Sequence, residues 1–199
     1  MLHQKLIVLS RNLICCIGLI VISPIMLIAV LALIIEDGLP IFFLQERIGK
    51  HKVIFKIIKI RTLQNSAPHV GTHQLEERYK LVVGNLMRKI KLDEFPQLLN
   101  VIRGELNLVG PRPGLPNQEL LMQFRAEHGV FNVKPGITGL AQILGYDMSD
   151  PQRLAEIDKI YIQNHTVLLN IIILLGTFFN APRGYLASKF NIPTLQKNL

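Results

Sequence analysis

The chain has 199 residues, enough for one domain with a real core; 49% of them are apolar, and the formal net charge is +8. An oily, basic chain without tryptophan lacks the aromatic platforms and motifs of a nucleic-acid binder, and no nucleic-acid partner is expected; an anionic membrane surface fits it better. The two cysteines, Cys15 and Cys16, adjoin one another in an apolar run, which excludes a disulfide framework or cysteine metal site and leaves them as small hydrophobes.

The first element is the charge-free run from Leu13 to Ile35. It reaches the roughly 20 residues that a bilayer core demands, and it is too long for the apolar region of a signal peptide, with no small-residue cleavage site after it. Ser23 and Pro24 stand near its middle. Proline removes a helical hydrogen bond, and in lipid the freed carbonyl needs a partner, for which a serine hydroxyl is suited. One reading is a kinked spanning helix. The other is a re-entrant hairpin bent at Ser23-Pro24. Basic residues flank both ends, Lys5 and Arg11 before and Arg47, Lys50, Lys52, Lys56, Lys59 and Arg61 after, and basic residues stay cytoplasmic. The hairpin satisfies both ends.

Beyond Gly38-Leu-Pro40, a turn, the pieces Ile41–Gln45 and Val53–Thr62 read as extended, the second β-branched and basic. Gln64–His73 is a polar loop, and Leu75–Ile90 and Leu98–Ile102 have helical spacing. A glycine- and proline-rich loop over Gly104–Pro116 precedes a helix expected from Asn117 to Glu127. Pro135-Gly136 suits the centre of a type II turn. Asp150 and Pro151 read as N-cap and first residue of the next helix. The apolar run Thr166–Phe179 is too short to span; it is either a buried core helix or one lying in the interface.

Asp93 and Glu94 are adjacent, so on a helix they diverge and make no facing acid–base dyad. On spacing alone Asp93 reads as a helix cap with Pro96 in the first turn. The same geometry allows chemistry: a helix N-terminus attracts phosphate, a carboxylate can attack phosphorus, and its neighbour can hold Mg²⁺. Lys59, Arg61, Arg88 and Arg112 read by default as solvated basic surface. Arg112 stands out, because Pro111 and Pro113 restrict its backbone and a fixed guanidinium suits phosphate. Gly136 and Gly139 read as turn glycines, and the six histidines show no metal-ligand spacing.

Several strings occur in series: Ser23-Pro24, Pro40-Ile-Phe-Phe-x-Gln45-x-Arg47-x-Gly49, Phe55-Lys-Ile-x-Lys59-x-Arg61-Thr62, Leu92-Asp-Glu-x-Pro-Gln97-Leu-x-Asn100-Val, Val109-Gly-Pro-Arg-Pro113 and Lys134-Pro-Gly-Ile-Thr-Gly-Leu-Ala-Gln142. In this order they resemble the bacterial sugar transferases, and more narrowly the monotopic polyprenyl-phosphate phosphoglycosyl transferases. The resemblance implies transfer of a sugar-1-phosphate from a UDP-sugar to polyprenyl phosphate, with release of UMP, at the cytoplasmic face of a bacterial inner membrane. By the same resemblance Asp93 is the nucleophile, Glu94 with Asp93 holds Mg²⁺, and Lys59, Arg88 and Arg112 lie near the phosphates; Ser23-Pro24 is the break of the membrane helix. The expected fold is α+β and mainly helical, with a re-entrant anchor over residues 1–37 and one compact cytoplasmic domain over 38–199 carrying a short sheet and interfacial amphipathic helices.

The chain departs from the family pattern in places. Lys91 stands where Ser or Thr is common, Leu144-Gly-Tyr-Asp147-Met where an Asn-Gly-Arg string is common, Arg11-Asn12 where a basic pair precedes Asp, and Asn170 where an aspartate is frequent. Asp93 and Glu94 are intact. A working enzyme with a variant donor pocket is expected, and a catalytically silent membrane scaffold is the alternative.

Overall fold

The computed structural model describes residues 2–67 and 79–195. Among the described residues the chain is mainly helical, as expected, and the expected short sheet is divided into two two-stranded ones. The expected loop beyond Ala67 and the first part of the helix expected from Leu75 lie outside the described residues. Contacts divide the chain into two compact units, residues 1–45 with 57–103 and residues 46–56 with 104–199.

In the first unit, α1 (Leu2–Asp37) is a helix of 36 residues, about 54 Å long at ~1.5 Å per residue. Within Val8–Asp37 its most apolar 18-residue window has a mean hydropathy of 3.0, so the helix is long and apolar enough to cross a membrane. Helical structure continues through Pro24. The carbonyl that Pro24 cannot serve is that of Ile20, four residues back, and Ser23 Oγ donates to it at 2.7 Å. The hydroxyl thus replaces the missing amide, which lets an apolar helix carry proline at low cost. Ser23→Ala is expected to lower the melting temperature in detergent by an amount corresponding to about 1 kcal/mol, and Ser23→Ala/Pro24→Ala to recover it, because alanine restores the N–H.

The stripe Ile22, Met26, Ala29, Val30 and Leu33 on α1 packs on Ile60, Leu81, Met87 and Leu92. Those partners belong to β2 (Ile54–Ile60), to the entry and body of α2 (Val82–Lys89), and to a 3-10 turn at Leu92–Glu94 that leads to α3 (Gln97–Ile102). β1 (Phe42–Ile48) pairs with β2. Both strands fall where the extended pieces are expected.

In the second unit, β3 (Asn107–Val109) and β4 (Gly136–Thr138) pair in parallel, Asn107 opposite Gly136 and Val109 opposite Thr138. The type II turn expected at Pro135-Gly136 is not formed. That turn needs a positive φ at Gly136, which lies instead in β4. Glycine is required there by proximity: a Cβ would sit 2.1 Å from the Gly110 amide nitrogen. Such short strands leave no alternation to read, so the expected loop Gly104–Pro116 conceals β3.

Around this pair lie α4 (Glu119–Glu127), α5 (Leu140–Ile143), α6 (Pro151–Gln163), α7 (Val167–Phe178) and α8 (Asn180–Phe190). The Asp150 side chain accepts from the Arg153 amide at 3.0 Å with Pro151 in the first turn, the cap read from sequence. α7 buries Leu169, Ile173 and Gly176 and exposes Val167, Leu168, Ile171, Leu175 and Phe178. It is therefore half core helix, with an apolar face left open.

Candidate active site

Asp93 and Glu94 do not cap a helix. They lie on the 3-10 turn, whose entry residue Lys91 has a left-handed backbone (φ 58°), and Pro96 occupies the cap position of α3. The cap reading fails because the chain turns once more before α3 begins. The turn instead buries Asp93, which is only 8% exposed.

Two expected basic residues converge on this turn. Lys59, from β2, places Nζ 2.7 Å from Glu94 Oε1 in a largely buried pair. Arg88, in the last turn of α2, donates from Nε to Thr62 Oγ1 at 2.6 Å. Burial pushes the Asp93 carboxyl above its ordinary range; Lys59 draws it down, Glu94 pushes it up, and Arg88 draws it down. Burial lowers the Arg88 guanidinium, and the charges of Asp93 and Glu94 hold it up. The site is a buried carboxylate with a second carboxylate and two cations in its electrostatic reach. That composition suits an anionic, phosphate-bearing substrate and a carboxylate acting on it.

The remaining basic candidates divide. Arg61 is no solvated cation, since it is 7% exposed and ion-paired with Asp37. It also donates to the carbonyls of Pro40 at 2.7 Å, Leu63 at 3.1 Å, Asp37 at 3.3 Å and Gly38 at 2.7 Å. Arg112 belongs to the second unit. With the Gln142 amide oriented to donate to Ile137 O at 3.3 Å, its oxygen accepts from Arg112 Nη1 at 2.9 Å. Arg47 Nη1 donates to the neighbouring Pro113 carbonyl at 2.9 Å, so the Pro-Arg-Pro segment is held from both sides.

Compared with known families, residues 6–184 match the one described as bacterial sugar transferase. The chain belongs to that family. It is 36% identical over 183 residues to the exopolysaccharide production protein ExoY of Sinorhizobium fredii, covering 83% of this chain and 80% of the relative. The uncharacterized sugar transferase EpsL of Bacillus subtilis is 39% identical over 165 residues, with 83% and 79% covered. A longer relative is the UDP-N-acetylgalactosamine-undecaprenyl-phosphate N-acetylgalactosaminephosphotransferase of Aeromonas hydrophila, 34% identical over 172 residues, with 82% of this chain and 40% of that one covered.

In this sugar transferase, two residues that matter to the site are invisible to a search for charged groups. Thr62 receives Arg88. Asn100, fully buried, accepts the Ile58 amide on its Oδ1 at 3.1 Å and so ties β2, one residue before Lys59, to α3. A lone polar residue within Leu98-Leu-Asn100-Val-Ile is the signal that could have found it.

The departures from the family pattern also have settings. Tyr146 is buried, with its hydroxyl on the Pro193 carbonyl at 3.0 Å. Gly145 has φ +93°, and a Cβ there would meet Leu195 O at 2.2 Å, so only glycine fits. Asn170 bonds Tyr161 through its oxygen at 2.9 Å and lies 3.2 Å from His165 Nε2.

Proposed function

We propose that this sugar transferase moves a sugar-1-phosphate from a UDP-sugar to polyprenyl phosphate, working at the cytoplasmic face of a bacterial inner membrane. The observation that carries the reading is the buried Asp93 set beside Glu94, Lys59 and Arg88. An Asp93 carboxylate oxygen attacks the sugar-bearing phosphorus. The bond from that phosphorus to the bridging oxygen breaks, and UMP departs with the oxygen and its electron pair. The phosphosugar stays on Asp93 until a phosphate oxygen of the polyprenyl acceptor attacks the same phosphorus and frees the carboxylate. Lys59 and Arg88 offset the negative charge.

The donor set fits Mg²⁺. Adjacent carboxylates stand on one turn. Such an ion takes one or two carboxylates and otherwise water and substrate phosphates. Asp93 and Glu94 would hold it, and it would supply positive charge to the diphosphate.

The relatives support the acceptor and the reaction class, since the Aeromonas protein is named for phosphosugar transfer with undecaprenyl phosphate. The membrane reading extends to topology: α1 enters and leaves on the same side, bending at Ser23-Pro24. Its support is the serine–proline pair near the middle of the apolar run, together with basic residues at both ends. In a background lacking Cys15 and Cys16, a cysteine placed at Lys5 is expected to resist labelling from the periplasmic side; labelling there would refute the hairpin.

The reaction is tested with a panel of UDP-sugars, Mg²⁺ and polyprenyl phosphate in detergent. At least one donor is expected to yield UMP, and intact-mass measurement without acceptor to show the chain plus one phosphosugar. Neither signal with any donor would overturn the reading and favour the silent scaffold.

A further inference from the structure

We infer that Glu36 and Asp37, the last two residues of α1, are positioning residues that clamp the two elements bearing Arg88 and Lys59; the catalytic part of this inference rests on the reaction proposed above. Glu36 reaches α2. Its Oε1 accepts the Val82 amide at 2.6 Å and its Oε2 the Val83 amide at 3.0 Å, so one carboxylate caps the first two amides of the helix whose last turn carries Arg88. Negative charge at a helix start is favourable, and the first amides of a helix have no partner within it. The cap position itself, Leu81, offers no side-chain acceptor.

Asp37 reaches the end of β2. Its Oδ2 accepts from Arg61 Nη1 and, at 3.0 Å, from the Asn65 amide. Arg61 fixes the chain two residues after Lys59, and the next residue, Thr62, receives Arg88. The contacts close a ring: Glu36 to α2, α2 through Arg88 to Thr62, Thr62 by the chain to Arg61, and Arg61 to Asp37. Gly84 seals it, because a Cβ there would lie 2.3 Å from Thr62 O, so α2 and the Thr62 backbone touch directly. The apolar helix therefore ends in two acids that set where the site's cations stand. This is a different duty from that of Asp93 and Glu94.

The test compares the wild type with Glu36→Ala, Asp37→Ala, Arg88→Ala and Glu36→Ala/Arg88→Ala, full-length in detergent with Mg²⁺ and the donor that supports UMP release. Donor KM is expected to rise roughly three- to tenfold in Glu36→Ala and Asp37→Ala, since misplaced cations bind the diphosphate less well. Partial unfolding, by contrast, lowers the amplitude of turnover and leaves KM in place. In the Arg88→Ala background Glu36→Ala should cost less than about a further twofold, because it acts through that arginine. Amide hydrogen exchange over Val82–Lys89 should quicken in Glu36→Ala. An unchanged KM, or a full additional loss in the double variant, overturns the inference. A wild type inert toward every donor removes the proposed reaction alone; exchange then decides the clamp, and unchanged exchange over Val82–Lys89 overturns it.

Discussion

Asp93→Asn is expected to lose UMP release by on the order of 10⁴-fold or more, the scale seen when a covalent nucleophile is removed, while melting at a higher temperature than the wild type. Both results come from one feature, the burial of the carboxyl. An amide fills the same space but cannot attack phosphorus. The stability sign follows from the proton balance. Burial raises the Asp93 pKa above its unfolded value, so across that window the folded chain binds more protons than the unfolded one, and stability falls as pH rises through it. Above that window the ionised carboxylate is a net cost, and asparagine removes it. A melting temperature above that of the wild type is therefore the expected result. UMP release at the wild-type rate would sink the nucleophile assignment. A melt lower than the wild type's would sink the argument from burial.

Asp158→Ala is expected to destabilise the second unit by about 3–5 kcal/mol, because it strands a buried guanidinium. Arg125 on α4 is 2% exposed and donates from Nε at 3.0 Å and from Nη2 at 2.5 Å to Asp158 Oδ2 on α6. Burial pushes the Asp158 carboxyl up, against the pull of Arg125. The pair is costly to desolvate and costlier to break, so replacing both partners should be far milder than replacing one. Arg125→Met/Asp158→Leu is expected to recover most of the loss in denaturant titration. A double variant as unstable as Asp158→Ala would show that the packing of α4 on α6 depends on the ion pair itself.

The acidic pair shows how far the residues could be read. Its chemistry was legible, since two carboxylates among Arg88, Pro96 and Arg112 are unusual in an aliphatic chain. Its local geometry was not. A cap was expected, and the chain makes a 3-10 turn with Lys91 left-handed, a conformation that no propensity of lysine announces. Arg61 departs from expectation for a related reason. A basic residue after a strand is usually solvated, and only the fold brings the end of α1 and its carbonyls around this one. Gly136 was correctly singled out but for the wrong cause, since its missing Cβ makes room for Gly110 and not for a turn.

The sequence by itself determined the apolar helix, the extended pieces, the Asp150-Pro151 start of α6, the family and the identity of the acidic pair. Each depends on residue type at short spacing, where periodicity and local hydrogen bonding act. Only the tertiary structure decided which cation meets Glu94, what Arg88 leans on, that Asn100 ties down β2, and that Glu36 and Asp37 grip two elements at once. Lys59 and Glu94 stand 35 residues apart, Thr62 and Arg88 26, and Glu36 and Val82 46. Contacts at such separations are chosen by how apolar stripes pack, here α1 against β2, α2 and the Leu92 turn, and packing of that kind leaves no trace in any short window of the chain.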